Sequence, residues 1–319
     1  MTFEVESCYY WFVIIASVCL GMRTKLLAQD IFETHGYYNF ISNEYPDKSS
    51  SDLEKNDSLF SSLRSFDSWP RDKKVAALNI ATVSTIATIG IVGWDYGSHS
   101  FRTANEGWFD SDTPYGGADK LGHAYTCYAL ASVYNRIYKD WGYSDNDAIL
   151  IGAANSLLTM SLIEIGDGFS ASEGFSWQDE VMNTVGVGMA YLRHRFPAVR
   201  ERVAFRWEWF PSPAARSGDR FDVFTDYSGQ KFLLAFKLDG WLRTGNPILK
   251  LLDIQVGYYT RGYVSGDDDY FNGKHRFGFV GIGLNMTYIL ERLTGNRASG
   301  VFDYIQVPYT YVPTSRRLD

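Results

Sequence analysis

Cysteine is scarce in this chain of 319 residues, which contains only three. Cys8 and Cys19 lie in an apolar stretch near the N-terminus, and Cys127 stands alone in a segment with helical periodicity. Such a pattern excludes a disulfide framework and a zinc site built from paired cysteines. It leaves the redox compartment open.

Basic residues are too scattered to form a stripe. The chain has 30 lysines and arginines against 37 acidic residues, which gives a formal net charge of −7. Because nucleic-acid binding depends on clustered positive charge, we expect no nucleic-acid partner. Apolar residues make up 45% of the chain and aromatic residues 16%. The first value allows a large core, and the second is typical of β-structure and of membrane–water interfaces.

The N-terminal segment contains an apolar run, CYYWFVIIASVCLGM, at residues 8–22. This run is shorter than the ~20 residues of a membrane-spanning helix and fits the apolar region of an export signal. A small residue suited to cleavage follows at Ala28, whereas Val18 disfavours lipid attachment at Cys19. We therefore predict a signal peptide or N-terminal anchor at residues 1–28, and the alternative is a buried N-terminal helix.

The remaining chain divides into three regions. A polar, serine-rich stretch, DKSSSDLEKND, predicts a flexible linker region over residues 29–72. Helical periodicity over 73–200 and alternation over 201–319 predict a helical bundle followed by an antiparallel β region. The expected fold class is α+β: a membrane-associated bundle rich in small residues, then a sheet of four or five strands. So few strands cannot close a membrane barrel, which needs about eight, so we expect the sheet to pack on the helices.

Four segments of the bundle favour helices: 75–94, 119–138, 148–165 and 178–194. The first is uncharged and long enough to cross a bilayer, and its small residues let helices approach closely. We interpret it as a membrane-contacting helix, and the alternative is a buried helix of a soluble bundle. Helix caps are expected at Asp145 or Asp147 and at Ser176. Gly186 and Gly188 lower the helix propensity of the last segment, which indicates close packing against a neighbour.

Four segments of the β region alternate or nearly alternate between apolar and polar residues: 203–210, 230–241, 251–263 and 275–290. In the third segment, the apolar residues share one face and the polar residues share the other. The first set is Leu252, Ile254, Val256 and Tyr258, and the second is Asp253 and Gln255. The acidic loop SGDDDYFNGK, before the last segment, lacks the spacing of a calcium-binding EF-hand.

Seven polar side chains interrupt the apolar helices in three clusters. They are Asp119, Lys120 and His123; Glu164 and Asp167; and Asp179 and Asn183. Spacings of three or four residues place side chains on one helical face. If successive helices run antiparallel, the first cluster begins one helix, the second ends the next, and the third begins the one after. We therefore expect the three clusters to meet at one polar mouth of the bundle.

Three interpretations of this mouth stay open. In the first, the charged side chains pair only with one another and hold loops and caps in place. In the second, a divalent metal is bound by Asp119, His123, Glu164 and Asp167, because carboxylates and imidazole are metal ligands. In the third, acid–base catalysis is carried out by His123, Glu164 and Asp179. No spacing matches a diagnostic motif such as H-E-x-x-H, so the spacing alone does not select one of them.

Other polar side chains are expected to be solvated. Glu106, Asp110 and Asp112 are interpreted as an acidic face, with a cation site as the alternative. His99 is expected in an exposed loop and His194 at an exposed helix end.

Three blocks of the chain, at residues 105–131, 164–191 and 253–263, look like a bacterial family of predicted periplasmic lipoproteins that is YfiM-like. The likeness extends from about residue 76 to about residue 290. The order D-K-x-x-H, E-x-x-D, D-x-x-x-N also faintly resembles VanZ-like membrane proteins. The resemblance implies an envelope location and a compact helical core, but it supplies no activity. The residues it implies are Asp119, Lys120, His123, Glu164, Asp167, Asp179 and Asn183.

These observations together predict a cell-envelope protein of a Gram-negative bacterium, associated with a membrane and exposed to the periplasm. Its expected role is non-catalytic: structural support, or binding of membrane lipid or of another envelope protein. The alternative is a metal-assisted hydrolase that acts on a lipid or cell-wall fragment and uses a divalent metal as its cofactor. A role in ion transport is disfavoured, because few charges lie in the middle of the apolar helices.

Overall fold

The computed structural model describes residues 66–217, 223, 225–264, 266–295 and 297–319. The predicted signal peptide or anchor at residues 1–28 lies outside the described residues, as does most of the predicted linker region at 29–72. Within the described residues, helices come first and an antiparallel sheet follows, so the α+β fold class is confirmed.

Four long helices occupy the first part of the described chain: α1 (Arg71–Gly93), α2 (Ala118–Asp140), α3 (Asp145–Asp167) and α4 (Trp177–Arg195). The four predicted helices lie within four residues of these bounds at each end. Two very short strands, β1 (Thr103–Ala104) and β2 (Phe175–Ser176), pair in parallel ahead of α2 and α4. A short helix, α5 (Pro197–Arg200), then leads to the sheet.

The sheet has five strands in the order in which they occur along the chain, and neighbouring strands are antiparallel. The strands are β3 (Val203–Trp209), β4 (Gln230–Lys237), β5 (Leu252–Arg261), β6 (His275–Leu284) and β7 (Tyr311–Arg317). Short helices join them: α6 (Pro213–Ser217), α7 (Leu238–Leu242), α8 (Pro247–Lys250), α9 (Asp268–Phe271) and α10 (Met286–Thr294). Two 3₁₀ turns, Tyr227–Gly229 and Arg297–Asp303, precede β4 and β7. The sheet therefore has the size predicted from the sequence.

Two of the predicted strands extend too far. The segment 230–241 leaves the sheet after Lys237 and forms α7, and the segment 275–290 leaves it after Leu284. Asn285 ends the second strand, because its Oδ1 accepts a hydrogen bond from the backbone N–H of Tyr288 at 3.3 Å and caps α10. Asparagine is a favoured N-cap, and this local bond outweighs the alternation of the residues that follow.

The caps of the bundle helices explain where two of them begin. Ser176 Oγ accepts a hydrogen bond from Asp179 N at 3.4 Å, as predicted for α4. The predicted caps of α3 at Asp145 or Asp147 are wrong, because Ser144 Oγ accepts from Asp147 N at 3.2 Å. The two aspartates lie instead in the first turn, where negative charge is favoured by the helix dipole.

The boundary between the two compact units of the chain, Thr85 and Ile86, falls within helix α1. Among the described residues, α1 and α3 are the two helices long and apolar enough to cross a membrane, with mean hydropathies of 1.9 and 1.7. Helix α1 is mostly exposed and α3 is half buried. Length and composition alone do not decide between crossing and packing, so membrane contact by residues 75–94 stays a prediction.

The three other long helices pack so closely that side chains are excluded at two positions. A Cβ atom on Gly152 of α3 would lie 2.9 Å from Asn135 N of α2. A Cβ atom on Gly186 of α4 would lie 2.9 Å from the carbonyl carbon of Ala124 and closer still to its oxygen. The close packing predicted for Gly186 is thus observed, whereas Gly188 has open space around it.

Helices and sheet share a core. Ala124 and Tyr128 of α2 and Ala190 of α4 are buried against Phe205 of β3 and Phe232 of β4. These five side chains fix α2 between its neighbouring helices and the first two strands of the sheet. The polar N-terminus of α2 is therefore held by apolar packing along the rest of the helix.

The central strand of the sheet, β5, has its apolar and polar faces reversed relative to a typical sheet. In β5, Asp253 and Gln255 are fully buried, whereas Ile254 is 40% and Val256 is 44% exposed. The predicted alternation is confirmed, but the polar face is the buried one. Arg206 of β3 is also buried and donates to Asp253 Oδ2 at 2.8 Å, which offsets part of the cost of burying this carboxylate.

A segment near the C-terminus completes this polar layer. Gln306 Oε1 accepts hydrogen bonds from Arg206 Nη1 at 3.0 Å and from Gln255 Nε2 at 3.2 Å. Gln255 Nε2 also donates to Asp253 Oδ1 at 2.8 Å. Four buried polar side chains from β3, β5 and the segment before β7 thus form one network.

Candidate functional site

The site begins at a tight turn before α2. Gly116 and Gly117 have φ values of 63° and 82°, a region that side chains disfavour. A Cβ atom on Gly117 would also lie 2.7 Å from Trp108 O. Glycine at both positions therefore lets the chain turn against residues 108–109 and enter α2 at once, with Asp119 and Lys120 directed to the interior.

Lys120 is the positive centre of one half of the site. Its side chain is buried, and its Nζ forms ion pairs with Asp119 Oδ2 at 2.8 Å, with Asp179 Oδ2 at 2.9 Å, and with Glu106. Burial alone would lower the pKa of Lys120, but the charges of Asp119 and Asp179 outweigh it, so the pKa lies above its usual value. Lys120 is thus a permanent cation held by three carboxylates.

Glu106 was not predicted as a member of this cluster. It was interpreted as part of a solvated acidic face, a reading that fits the exposed Asp110 and Asp112 but is wrong for Glu106. The β1–β2 pairing explains the difference, because it places Ala104 beside Ser176, three residues before Asp179. Strands of two residues leave no alternation to recognise, so no sequence signal pointed to this contact.

His123 is the centre of the other half. Its Nε2 lies 3.5 Å from Glu164 Oε1 and 3.9 Å from Asp179 Oδ1. Its Nδ1 lies 3.2 Å from Asn183 Oδ1, and Cys127 Sγ lies 3.5 Å from the same oxygen. Burial raises the pKa of the Cys127 thiol, so the thiol stays protonated and donates to that oxygen.

Two carboxyl groups of α3 have perturbed pKa values. Burial, with the charges of Asp179 and Asp167, raises the pKa of Glu164 to about 9. Burial also raises the pKa of Asp167 to about 7, an effect partly offset by a hydrogen bond with Tyr96. Glu164 additionally accepts a hydrogen bond from the backbone N–H of Ser176 at 3.2 Å. Strong perturbation of carboxyl groups is a common property of functional sites, although structural networks also produce it.

The three sequence clusters meet in space, as the antiparallel arrangement predicts. Six of the seven predicted residues lie in one chain of contacts: Asp119, Lys120, His123, Glu164, Asp179 and Asn183. Asp167 lies nearby, against Tyr96. Of the predicted metal ligands Asp119, His123, Glu164 and Asp167, the structure brings only His123 and Glu164 together. Asp119 pairs with Lys120, and Asp167 interacts with Tyr96. The third carboxyl group beside His123 and Glu164 is that of Asp179.

The two remaining predicted histidines differ in their surroundings. His99 is exposed, as predicted. The prediction of an exposed His194 is wrong, because its Nδ1 accepts from Asn135 Nδ2 at 3.1 Å and its Nε2 donates to Ser132 Oγ at 3.1 Å. Burial, followed by the charge of Arg193, lowers the pKa of His194 to about 4. This imidazole is a neutral structural link between α4 and α2.

A cleft opens beside Glu106. Four acidic side chains and one basic side chain contribute to its lining, and they are Glu106, Asp110, Asp112, Glu173 and Arg102. Burial raises the pKa of Glu173 and of Glu106. The cleft therefore connects the Lys120 half of the site to solvent through a negatively charged surface.

Comparison with known proteins gives one match. Residues 105–195 match the family described as predicted periplasmic lipoprotein (DUF2279). The matched segment contains all of the predicted site residues and two of the three blocks on which the resemblance was based, but not residues 253–263. Comparisons with curated proteins and with solved structures gave no match. Over residues 105–195 this chain is therefore similar to the predicted periplasmic lipoproteins, and it is a protein of the cell envelope.

Proposed function

We propose that this protein is a non-catalytic envelope protein that binds a membrane surface through the outer faces of α3 and α4. The observation that carries the proposal is a continuous apolar stripe on the outside of α4. Trp177, Val181, Val185 and Leu192 of α4, with Phe196 directly after its end, follow at helical spacing and are 42–53% exposed. Exposed apolar patches of this extent are typical of membrane or protein contacts.

Helix α3 continues this stripe. It packs beside α4 and exposes Leu150, Leu158 and Ile165 on its outer face. The inner faces of the same helices carry polar groups, including Asn155, Ser156 and the site residues. Helices that expose apolar side chains on their outer faces while burying polar groups between them have an arrangement expected of a protein in contact with lipid.

The sheet presents a second apolar surface. Exposed apolar side chains on β4, β5 and β6 lie beside one another across neighbouring strands. They are Leu234, Ile254, Val256, Val280, Ile282 and Leu284. Their side chains are 38–61% exposed, while their polar neighbours along β5 are buried. The sheet thus resembles α3 and α4 in exposing apolar side chains while it buries polar ones.

The dimensions favour contact with one side of a membrane rather than a complete crossing by α4. The uncharged part of this helix, residues 181–192, is about 18 Å long at 1.5 Å per residue, against about 30 Å for the hydrocarbon core. A net charge of −7 would repel anionic lipid headgroups, so the proposed partner is a neutral lipid surface. Burying the exposed half of eight apolar side chains contributes of order 8 kcal/mol before the costs of association.

Sedimentation with neutral phosphatidylcholine vesicles tests this proposal. The double variant Leu158→Asp, Val185→Asp places a charge in each stripe and is expected to weaken vesicle binding at least tenfold. The control variant Asn146→Asp, Ser172→Asp adds the same charge at exposed polar positions and should bind like the unmodified protein. Equal binding by both variants would contradict the proposal, and so would a homodimer in solution that buries the stripes.

A second candidate function is metal-assisted hydrolysis of a lipid or cell-wall fragment. The favouring observation is that ligand atoms of His123, Glu164 and Asp179 all lie within 4.8 Å of one another. Metal-bound water at such a site is a nucleophile near neutral pH. Release of phosphate or sugar from envelope extracts that requires added divalent metal and is lost in His123→Gln would support this function. The same extracts left unchanged by the metal-loaded protein would oppose it.

A further inference from the structure

Nε2 of His123 faces two buried carboxyl groups, those of Glu164 and Asp179. Asn183 Oδ1 is an acceptor, as shown by the Cys127 thiol that donates to it at 3.5 Å. Nδ1 of His123 lies 3.2 Å from the same oxygen, which is placed to accept the proton of the Nδ1–H tautomer. The lone pair of Nε2 then faces Glu164 Oε1 at 3.5 Å and Asp179 Oδ1 at 3.9 Å.

One of these acceptors has no hydrogen-bond donor. Asp179 is 3% exposed, and its Oδ1 has no hydrogen-bond partner among the described residues. Its other oxygen is bound by Lys120 at 2.9 Å. A buried carboxylate oxygen without a donor is costly, so this oxygen requires a cation or a proton in the space that it shares with His123.

The spacing of the three acceptors suits a small divalent ion. Ligand bonds of about 2.0–2.2 Å to zinc place tetrahedral ligands about 3.4 Å apart. The observed separations from Nε2 are 3.5 and 3.9 Å, and all three ligand atoms lie within 4.8 Å of one another, so side-chain movements of about an ångström or less bring them into range. Calcium and magnesium favour oxygen ligands only, whereas an imidazole with two carboxylates suits zinc.

We propose that His123 Nε2, Glu164 and Asp179 Oδ1 form a zinc site, with a fourth position open to water. Asn183 is a positioning residue, because its oxygen fixes the tautomer that leaves Nε2 available. Glu106, Asp119 and Asp179 form a second acidic group of three, but it does not form a second metal site, since the ammonium of Lys120 already lies among its oxygens. Asp179 thus bridges a fixed cation and an exchangeable one.

The ion has a route to solvent. The side chain of His123 is 20% exposed, whereas those of Glu164 and Asp179 are 3% and 4% exposed. Entry on the His123 side would leave the two carboxylates at the inner end of the site. This arrangement has three protein ligands and one open position, as catalytic zinc sites do, whereas structural zinc sites are closed by four.

Zinc titration of the full chain, stripped of metal with a chelator and followed by calorimetry, tests the site. One zinc ion per chain is expected, with binding at least 100-fold weaker in His123→Gln and in Glu164→Gln. Asn183→Ala should weaken binding 10- to 100-fold, the usual effect of losing a partner that orients a metal ligand. His194→Gln is the matched control, because it removes an imidazole of the same bundle that has neutral partners.

Cobalt substitution supplies a measurement that needs no variant. Four-coordinate cobalt at this site should give an intense visible absorption that added zinc abolishes, whereas six-coordinate cobalt gives a weak one. Absence of stoichiometric zinc binding would overturn the proposal, as would unchanged zinc affinity in folded His123→Gln and Glu164→Gln. Because the probe is the metal alone, this result is independent of whether the protein binds vesicles.

Discussion

A pair of glycines on α4 offers a sharp test of how the site is held together. Replacing either one by alanine gains about 0.8–1.0 kcal/mol of helix propensity. At Gly188 nothing lies within 4 Å of the added Cβ, so Gly188→Ala should stabilise the protein by about that amount. At Gly186 the Cβ would lie 2.8 Å from Cys127 Cβ and 2.9 Å from the carbonyl carbon of Ala124, well inside ordinary contact.

The obstacle at Gly186 is the backbone of α2, which no side-chain rotation can move. Helix α4 must therefore shift away from α2, at a cost of about 1–3 kcal/mol for overpacking. Both variants gain the same helix propensity, so Gly186→Ala should be less stable than Gly188→Ala by the overpacking cost of about 1–3 kcal/mol in urea denaturation followed by far-ultraviolet circular dichroism. The shift would also separate His123 on α2 from Asp179 on α4, so zinc affinity should fall with stability. Equal stability of the two variants would refute the close contact between α2 and α4 on which the site geometry depends.

Two further variants test the buried polar groups. Asp253→Ala removes the carboxylate that pairs with the buried guanidinium of Arg206, so it should cost about 3–5 kcal/mol of unfolding free energy. Asp140→Ala breaks an exposed ion pair with Arg136 and should cost less than about 0.5 kcal/mol. Similar costs for the two variants in urea denaturation would contradict the buried polar layer of the sheet. The pKa of His194 falls from 6.5 in the unfolded chain to about 4 in the fold, so its contribution to stability is full above pH 6.5 and is lost as the pH falls toward 4. Unfolding free energies at pH 7 and pH 5 should therefore differ by about 2 kcal/mol more in the unmodified protein than in His194→Gln, and parallel pH profiles would show that His194 is not buried as a neutral ring.

The helices and their approximate ends were predictable because periodicity and caps are local. The convergence of the three polar clusters was also predictable, since antiparallel succession alone brings Asp119, Glu164 and Asp179 to one end. The position of Glu106 could not be predicted, because it depends on the parallel pairing of β1 with β2, two strands of two residues each that are far apart in the chain. Asp179, and not Asp167, lies beside His123 because of the directions of the two side chains on α4 and α3. Sequence spacing does not determine these directions.

The burial of the polar face of β5 was unpredictable for a different reason. Alternation gives two faces, but only tertiary structure decides which face is covered. Here Arg206 and Gln306 supply partners to Asp253 and Gln255 on the inner side, and both partners come from distant parts of the chain. A local pattern shows that a strand is amphipathic, but the face that becomes buried is determined by contacts with distant parts of the chain.

The polar layer completed by Gln306 sets an order of events for folding of the chain. Arg206 and Gln306 are 100 residues apart, and Arg193 joins Asp303 across 110 residues. Until residues 303–306 are in place, Arg206 of β3 and Arg193 of α4 lack these hydrogen-bond partners. Earlier collapse of the chain would bury the two side chains without them. Stable packing of α4 and β3 must therefore wait for Asp303 and Gln306, so these early elements acquire their final form only after the chain beyond β6 has folded.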